Sequence, residues 1–557
     1  MSSVSTELET AGKALVAQLR AYGVAHVFCV PGESYLAVLD ALIDSDITVT
    51  VCRHEGGAAM MADAVGRRTG RPGVAMVTRA PGAANAAVGI HIASQDATPL
   101  ILLAGQVSRP VQDRDAWQEL DFAAMFGGLA KWTAEPQSAP RLAEYLARAF
   151  QIAVAGRAGP VVLGLARDLL AEQIPHRTPP PLRTPRPAPH PADLSRFLER
   201  LTAAKAPIAI LGGSGWTEEA CAAFTRFAEA HDLPVATSYR RLPLFDATHR
   251  LYAGDLGLGA NPKLVARIQS ADLVLLLGGR LGEVASQDFT LFPVGSEVPQ
   301  MVHVYPDPEE LGRLYTAALP ICAAPTAFVA ALEDLALPPP RSSTRLSWAE
   351  GGHADYLDWS ETPTPQPGPV NLAEIIIWLR EHLPADAILC NGAGGYAAWI
   401  HRFYRFRQFG THMAPTSATM GYGVPAAVAM QRLYPEKTVL ALAGDGDFLM
   451  NGQEFATAVQ YGLPILVVVF DNGAYGSIRL AQEKAYPGRV SATDLKNPDF
   501  AAYARAFGGF GVRVETTEDF APAFRAAQAS GLPAIIHVVY DVAGLTPTTT
   551  LAKLRGG

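Results

Sequence analysis

The stretch from Val439 to Asn472, VLALAGDGDFLMNGQEFATAVQYGLPILVVVFDN, constrains the fold more than any other part of the chain. Its two unbroken apolar runs are of strand length and show no polar alternation, the pattern of strands buried on both faces. Between them, from about Gln453 to Tyr461, apolar residues recur at helical spacing. A strand–helix–strand unit crosses over with a right hand, so the two strands are parallel and the sheet needs helices on both sides. The same alternation fills the rest of the chain. Strands are predicted at His26–Val30, Thr48–Cys52, Val74–Thr78 and Leu100–Ala104, with helices at Tyr35–Asp44, Glu55–Thr69 and Gly82–Ser94. Ile208–Leu211 and Leu273–Leu277 flank a Gly-rich turn and a helix from Glu218. Ile388–Cys390, Thr438–Ala443, Ile465–Phe470 and Ala534–Val539 complete the strands. Two proline-rich stretches interrupt the rhythm, Pro175–Pro191 and Pro338–Pro369, and both suit extended linkers. The expected fold is therefore α/β, with three consecutive doubly wound parallel-sheet domains. They are placed at residues 1–174, 192–337 and 370–557, joined by linkers at 175–191 and 338–369.

A chain of 557 residues has room for about three domains at roughly 100–200 residues each. Hydrophobic residues at 49% against 18% charged exclude a disordered protein. The net charge of −8 weighs against nucleic acid or an anionic membrane as partner. No apolar run approaches the roughly 18–20 residues of a membrane helix. The opening MSSVSTELETAGKAL lacks a basic segment ahead of an apolar one, so no secretory signal is expected. Cys29, Cys52, Cys221, Cys322 and Cys390 are odd in number and far apart, with no CxxC pair. They read as buried thiols of a cytoplasmic protein.

The chemistry concentrates where parallel strands end. Gly444-Asp445-Gly446 closes one strand of the 439–472 unit and Asp471-Asn472 the other, so Asp445 and Asn472 emerge at the carboxyl edge of the sheet, where open α/β folds bind ligands. A carboxylate, an amide oxygen and a main-chain carbonyl are hard ligands for Mg²⁺ or Ca²⁺. Flanking glycines let main-chain N–H groups approach a phosphate ahead of a helix. A calcium loop of the EF-hand type needs further acidic ligands after Asp447, and Leu449 and Asn451 follow instead. A lone Gly-Asp-Gly is a common turn; the pairing with Asn472 on one unit is what carries information.

Gly444-Asp445-Gly446 followed by Asn472 resembles the diphosphate motif of thiamine-diphosphate-dependent enzymes, and the order of domains is similar to their acetolactate synthase, pyruvate oxidase and benzaldehyde lyase branch. The resemblance implies a pyrimidine-binding domain, a middle domain and a diphosphate-binding domain, in that order. It implies Mg²⁺ held by Asp445, Asn472 and the Ala474 carbonyl, with Gly444, Gly446, Asp447, Tyr475 and Gly476 beside the diphosphate. In CRHEGGAAMMADAVGRRTG, Glu55 opens a helix, where a carboxylate by itself merely favours the helix dipole. By resemblance it is the carboxyl that activates the cofactor through the aminopyrimidine. Pro31 in VPGES and Thr78, Pro81 and Asn85 in TRAPGAAN would line the same cleft. In PTSATMGYGVPAA, the Ala418 carbonyl would accept from the cofactor's amino group and Met420 would prop the cofactor bent; burial in a helix start is the other reading of Met420. Asn391, Gly392, Gly394 and Gly395 end the preceding strand and would line the cleft. In the family one site draws on two subunits, which implies at least a homodimer, commonly a homotetramer.

On the substrate side the chain departs from acetolactate synthase. Val284 in GGRLGEV stands where that enzyme has an Arg gripping its second 2-oxoacid, and Ala481 in GSIRLAQ stands at its specificity Trp. Glu33 matches an acidic proton-moving residue, and desolvation there would raise its pKa; an exposed loop carboxylate is the alternative. Gln118, beside Trp117, matches a substrate-facing glutamine. His91 either reaches the cleft or is a helix-face histidine satisfied in the core. Arg167 keeps some positive charge at the substrate side. Arg402, Arg405 and Arg407 read as a solvated basic face. Gly212–Trp216, GGSGW, is a weak dinucleotide signal without a placed acidic ribose ligand, and no FAD is expected. The expected activity is a thiamine-diphosphate- and Mg²⁺-dependent carboligase acting on 2-oxoacids such as pyruvate with an aldehyde or ketone acceptor. A 2-oxoacid decarboxylase or hydroxyketone lyase is the alternative, and a nicotinamide dehydrogenase or a non-catalytic homologue stands further off.

Overall fold

The computed structural model describes residues 7–333 and 343–556, and the chain forms two compact units. The first comprises the chain up to Pro185 together with residues 428–433 and 451–461. Its sheet has six parallel strands in the order Thr48–Val51, His26–Cys29, Gly73–Val77, Leu100–Gln106, Pro160–Ala166, Trp132–Ala134. The central strands are wholly buried, as their unbroken apolar composition requires. From the central pair His26–Cys29 and Gly73–Val77 the chain adds its next strand on opposite sides, Thr48–Val51 beside the first and Leu100–Gln106 beside the second, so the topological switch point opens between Pro31–Glu33 and Thr78–Pro81. Helices Glu55–Thr69 and Ala80–Asp96 pack through small residues: a Cβ on Gly89 would lie 2.4 Å from the Ala59 Cβ.

The second unit holds two further six-stranded parallel sheets. The first is ordered Tyr252–Leu256, Val235–Ser238, Pro207–Leu211, Leu273–Leu277, Glu297–Tyr305, Thr316–Cys322, and the other His412–Met413, Ile388–Asn391, Val439–Gly444, Leu466–Asp471, Ala534–Val539, Phe510–Val514. In the latter the switch point falls between Ile388–Asn391 and Val439–Gly444, between the turns 391–395 and 444–447. Three parallel-sheet domains in succession are thus present, each doubly wound about its own switch point.

Four expectations need correction. The segment read as a second linker contains an 18-residue helix, Ser343–Ser360, while its head at 338–342 lies outside the described residues. The helix buries Ala349 and Tyr356, and the Trp348 indole donates to the Pro207 carbonyl at 2.8 Å, contacts that flanking prolines conceal. The helix predicted from about Gln453 to Tyr461 is present as Phe455–Gln460, but a further helix, Asp445–Asn451, starts directly at the end of the strand, the two separated by the tight turn Gly452–Glu454. Arg402, Arg405 and Arg407 are not a solvated face. Arg402 stacks 3.8 Å from the Trp359 ring, Arg405 pairs with Glu361 and Arg407 donates to the Leu383 carbonyl at 2.9 Å. Among the cysteines, Cys322 is exposed at the end of an edge strand; the other four are buried.

Candidate active site

In the first unit, the turn after His26–Cys29 meets the turn after Gly73–Val77. Ser34 and Thr78 hydroxyls lie 3.1 Å apart, and Gly32 is required because a Cβ there would sit 2.6 Å from the Thr78 Cβ. Glu55 opens its helix behind the cap His54, whose Nδ1 accepts from the Gly56 N–H at 3.0 Å. The half-buried Glu55 carboxylate accepts from Asn85 Nδ2 at 3.0 Å, and Gly82 leaves room beside it, since a Cβ there would be 3.3 Å from Oε1. Glu55, Thr78 and Asn85 are thus brought together around one opening, with Pro31 and Pro81 exposed at its edge.

Glu33 is not desolvated: its side chain is 59% exposed and faces Arg79, with Nη2 3.4 Å from Oε1. Arg79 was not among the sequence candidates, although it stands inside TRAPGAAN. It is only 7% exposed, lies 5.7 Å from the exposed Trp117 ring, and its buried Nε has no partner among the described residues. The next residue's N–H, from Ala80, donates to the Gln118 carbonyl at 3.2 Å, and Gln118 itself takes a left-handed φ of 64°. Glu33, Arg79, Trp117 and Gln118 therefore form one cluster. His91 is exposed on the Ala80–Asp96 helix, roughly 9 Å along the axis from Asn85 at 1.5 Å per residue. It is not a core histidine. Arg167 is exposed.

In the second unit, three strand ends converge on one edge. Asp445 is the first residue of its helix and is buried. Asn497 Nδ2 donates to Asp445 Oδ2 at 2.7 Å and to Asp471 Oδ1 at 2.8 Å, holding two carboxylates side by side. Burial and the Asp471 charge push the Asp445 carboxyl up to about 6, against the Asn497 hydrogen bond. Burial acts on Asp471 in the same sense, but donors, with His537 Nε2 2.9 Å from Oδ2, hold it below the usual range. Asn472 turns its Nδ2 to the Tyr540 hydroxyl at 2.9 Å and its Oδ1 toward the Ala474 N–H at 3.2 Å. Gly446 and Gly476 admit the Tyr475 ring and the Asn472 amide, to which added Cβ atoms would lie 2.6 and 2.9 Å away.

Asp447 is the knot of this edge. Its buried carboxylate accepts from the Tyr396 hydroxyl and the Gly421 N–H, both at 2.6 Å, and a Cβ on Gly392 would fall 2.2 Å from Oδ1. Burial pushes this carboxyl up to about 6 despite those donors. One side chain thus ties the Gly-Asp-Gly turn to the turns bearing Met420 and Gly392–Gly395. Asn391 is buried, with Oδ1 2.8 Å from His412 Nε2, so it shapes the turn from beneath. Met420 is half-buried rather than core, and Ala418 is exposed with a left-handed φ of 51°, strain that presents its carbonyl in a fixed direction. Gly212–Trp216 is a packing turn: the buried Trp216 indole donates to the Gly212 carbonyl at 2.8 Å.

A divalent cation fits this chemistry. Two adjacent carboxylates, Asp445 buried and Asp471 half-buried, concentrate negative charge, and an amide oxygen stands on the neighbouring strand end. Among the described residues no group of three His, Cys, Asp or Glu gathers as a metal cluster, so an ion here would rely on one carboxylate with amide and carbonyl oxygens.

Comparison with known proteins gives three consecutive family matches. Residues 9–125 match the thiamine pyrophosphate enzyme N-terminal TPP binding domain, residues 194–332 the central domain, and residues 392–538 the C-terminal TPP binding domain. The chain is 30% identical to the acetolactate synthase large subunit of Corynebacterium glutamicum over 559 residues, covering 96% of this chain and 88% of that one. It is 30% identical to the acetolactate synthase isozyme 2 large subunit of Escherichia coli over 532 residues, 95% of each chain. It is 31% identical to the acetolactate synthase of Bacillus subtilis over 532 residues, 93% of this chain and 91% of that one.

Proposed function

This chain belongs to the thiamine pyrophosphate enzyme family, and from that premise we propose that it is a Mg²⁺-dependent carboligase that joins a 2-oxoacid such as pyruvate to an aldehyde or ketone. The observation that carries the proposal is the edge where Asp445, Asn472 and the turns bearing Ala418, Met420 and Gly392–Gly395 meet at a switch point. Thiamine diphosphate, when bound, supplies a carbanion centre and an electron sink. The chain's own residues do the rest. Asp445, Asn472 and the Ala474 carbonyl would hold Mg²⁺, and N–H groups at the start of the Asp445–Asn451 helix would face the diphosphate. Glu55, oriented by Asn85, would hold a proton at the aminopyrimidine ring nitrogen, the Ala418 carbonyl would accept from the amino group, and Met420 would fix the bend. The middle domain is proposed to carry no flavin. The assembly is proposed as a homodimer or homotetramer in the cytoplasm. No described helix is long and apolar enough to cross a membrane.

Arg79 supports a carboxylate-bearing donor. Its buried guanidinium, on the residue after Thr78, keeps an Nε–H without a partner among the described residues, while Val284 and Ala481 offer no grip on a second oxoacid. Replacing it, Arg79→Ser, is expected to raise the KM for pyruvate about tenfold or more, the cost of losing a charged hydrogen bond, with kcat changing less. Equal KM values in steady-state assays would remove Arg79 from the substrate.

Proton NMR of the protein with thiamine diphosphate, Mg²⁺ and pyruvate, with and without an added aldehyde, tests the reaction. A mixed hydroxyketone formed with the aldehyde supports carboligation. Acetaldehyde alone favours the decarboxylase. Acetolactate from pyruvate alone would mean that another residue fills the place of Val284.

A further inference from the structure

Glu454 has no exposed surface, yet it is a carboxylate. It belongs to the first compact unit, in the tight turn Gly452–Glu454, nine positions after Asp445 in the chain. Its partners are specific. Oε1 accepts from the main-chain N–H of Arg53 at 3.0 Å and of His54 at 2.9 Å; Oε2 accepts from Arg53 at 3.3 Å and from the Thr457 hydroxyl at 2.6 Å. Arg53 and His54 are the two residues immediately before Glu55. Gly57, in the first turn of the same helix, lies so close that a Cβ there would meet Oε1 at 2.5 Å. The surrounding segment reinforces the grip: the Tyr461 hydroxyl accepts from the Val51 N–H at 2.8 Å, and Arg53 Nη2 donates to Gln460 at 2.6 Å. Thr48–Val51, the strand that leads into residues 53–54, is an edge strand paired only with His26–Cys29 among the described residues. Burial raises the Glu454 carboxyl while the donors pull it back, and both of its oxygens are engaged.

A buried acid is costly to keep unless its hydrogen bonds do something an apolar residue would not. We infer that Glu454 is a positioning residue for Glu55: its carboxylate, gripping the N–H groups of Arg53 and His54, sets where the helix begins and therefore where the Glu55 carboxyl stands. A displacement of about 1 Å in a proton-handling group is enough to cost a large part of its rate. The inference rests on the proposed role of Glu55, and the two fail separately.

The test uses the full chain loaded with thiamine diphosphate and Mg²⁺, and reads exchange of the cofactor C2 proton in D₂O by quenched-flow NMR, cofactor affinity by calorimetry and Tm. Glu454→Gln keeps the size and one acceptor oxygen for the Arg53 and His54 N–H groups, but puts an amide N–H₂ where Oε2 accepted from the Thr457 hydroxyl and from Arg53, so one side of the grip is lost. The expected result is a loss of C2 exchange of about tenfold or more, with cofactor affinity within about twofold of the parent and a cooperative melt. Thr457→Val is the gentler variant should Glu454→Gln not fold; it loosens Oε2 alone and is expected to slow exchange several-fold in the same pattern. Exchange at the parental rate in a folded variant, or a loss of exchange matched by an equal loss of cofactor affinity, overturns the inference. If Glu55→Gln itself exchanges like the parent, the role of Glu55 falls, and this inference with it.

Discussion

Glu55→Gln is expected to lower turnover by about 10²–10⁴-fold, the usual contribution of a positioned acid–base group. The substitution preserves volume and leaves an oxygen that still accepts from Asn85, so the hydrogen bond at 3.0 Å and the packing of the helix survive. What is lost is the ability to hold a transferable proton. Cofactor affinity and Tm are therefore expected to change little, and the loss is to be read in kcat, by a product assay at saturating cofactor. A Gln variant with parental kcat would reduce Glu55 to a first-turn carboxylate that merely favours the helix dipole.

Asp445→Asn is expected to act in the opposite place, on binding. Asp445 and Asp471 are held side by side by Asn497, and this repulsion is relieved either by a cation or by neutralising one of the pair. The variant without ligand is therefore expected to be as stable as the parent or more so. A divalent cation gains less from an amide than from a carboxylate, so the Mg²⁺-dependent affinity for thiamine diphosphate is expected to fall by at least about 10–100-fold, the range seen even for residues behind a metal's own ligands. Stabilisation follows mass action, so the parent at 100 times its Kd gains about 2.7 kcal/mol and the variant about 1.3–2.3 kcal/mol less at the same ligand concentration. Thermal melts with and without cofactor and Mg²⁺ check both halves. An apo variant that melts well below the parent while keeping its cofactor-induced shift would show Asp445 to be structural.

The fold was legible because continuous apolar runs alternate with helical spacing, a pattern that only a covered parallel sheet satisfies. Parallel strands also forced Asp445 and Asn472 onto one edge, so that half of the candidate site followed from topology. Spacing could not reveal residues that act from a distance along the chain. Asn497 bridges two carboxylates from a loop with no motif, and Glu454 reads in sequence as an ordinary helical glutamate. Arg79 was in view within TRAPGAAN, but its burial and its partner Glu33 are three-dimensional facts. The helix Ser343–Ser360 was lost for a different reason: prolines on both sides gave the whole stretch the composition of a linker. Arg402, Arg405 and Arg407 misled because guanidinium stems cover apolar rings as readily as they meet water.

The most direct measurement is the rate of C2 proton exchange of thiamine diphosphate in D₂O, with the parent protein, with and without Mg²⁺. Acceleration of several orders of magnitude over the free cofactor, dependent on Mg²⁺, is the result expected of a chain that binds and activates thiamine diphosphate. Exchange at the rate of the free cofactor with the protein saturated would contradict it.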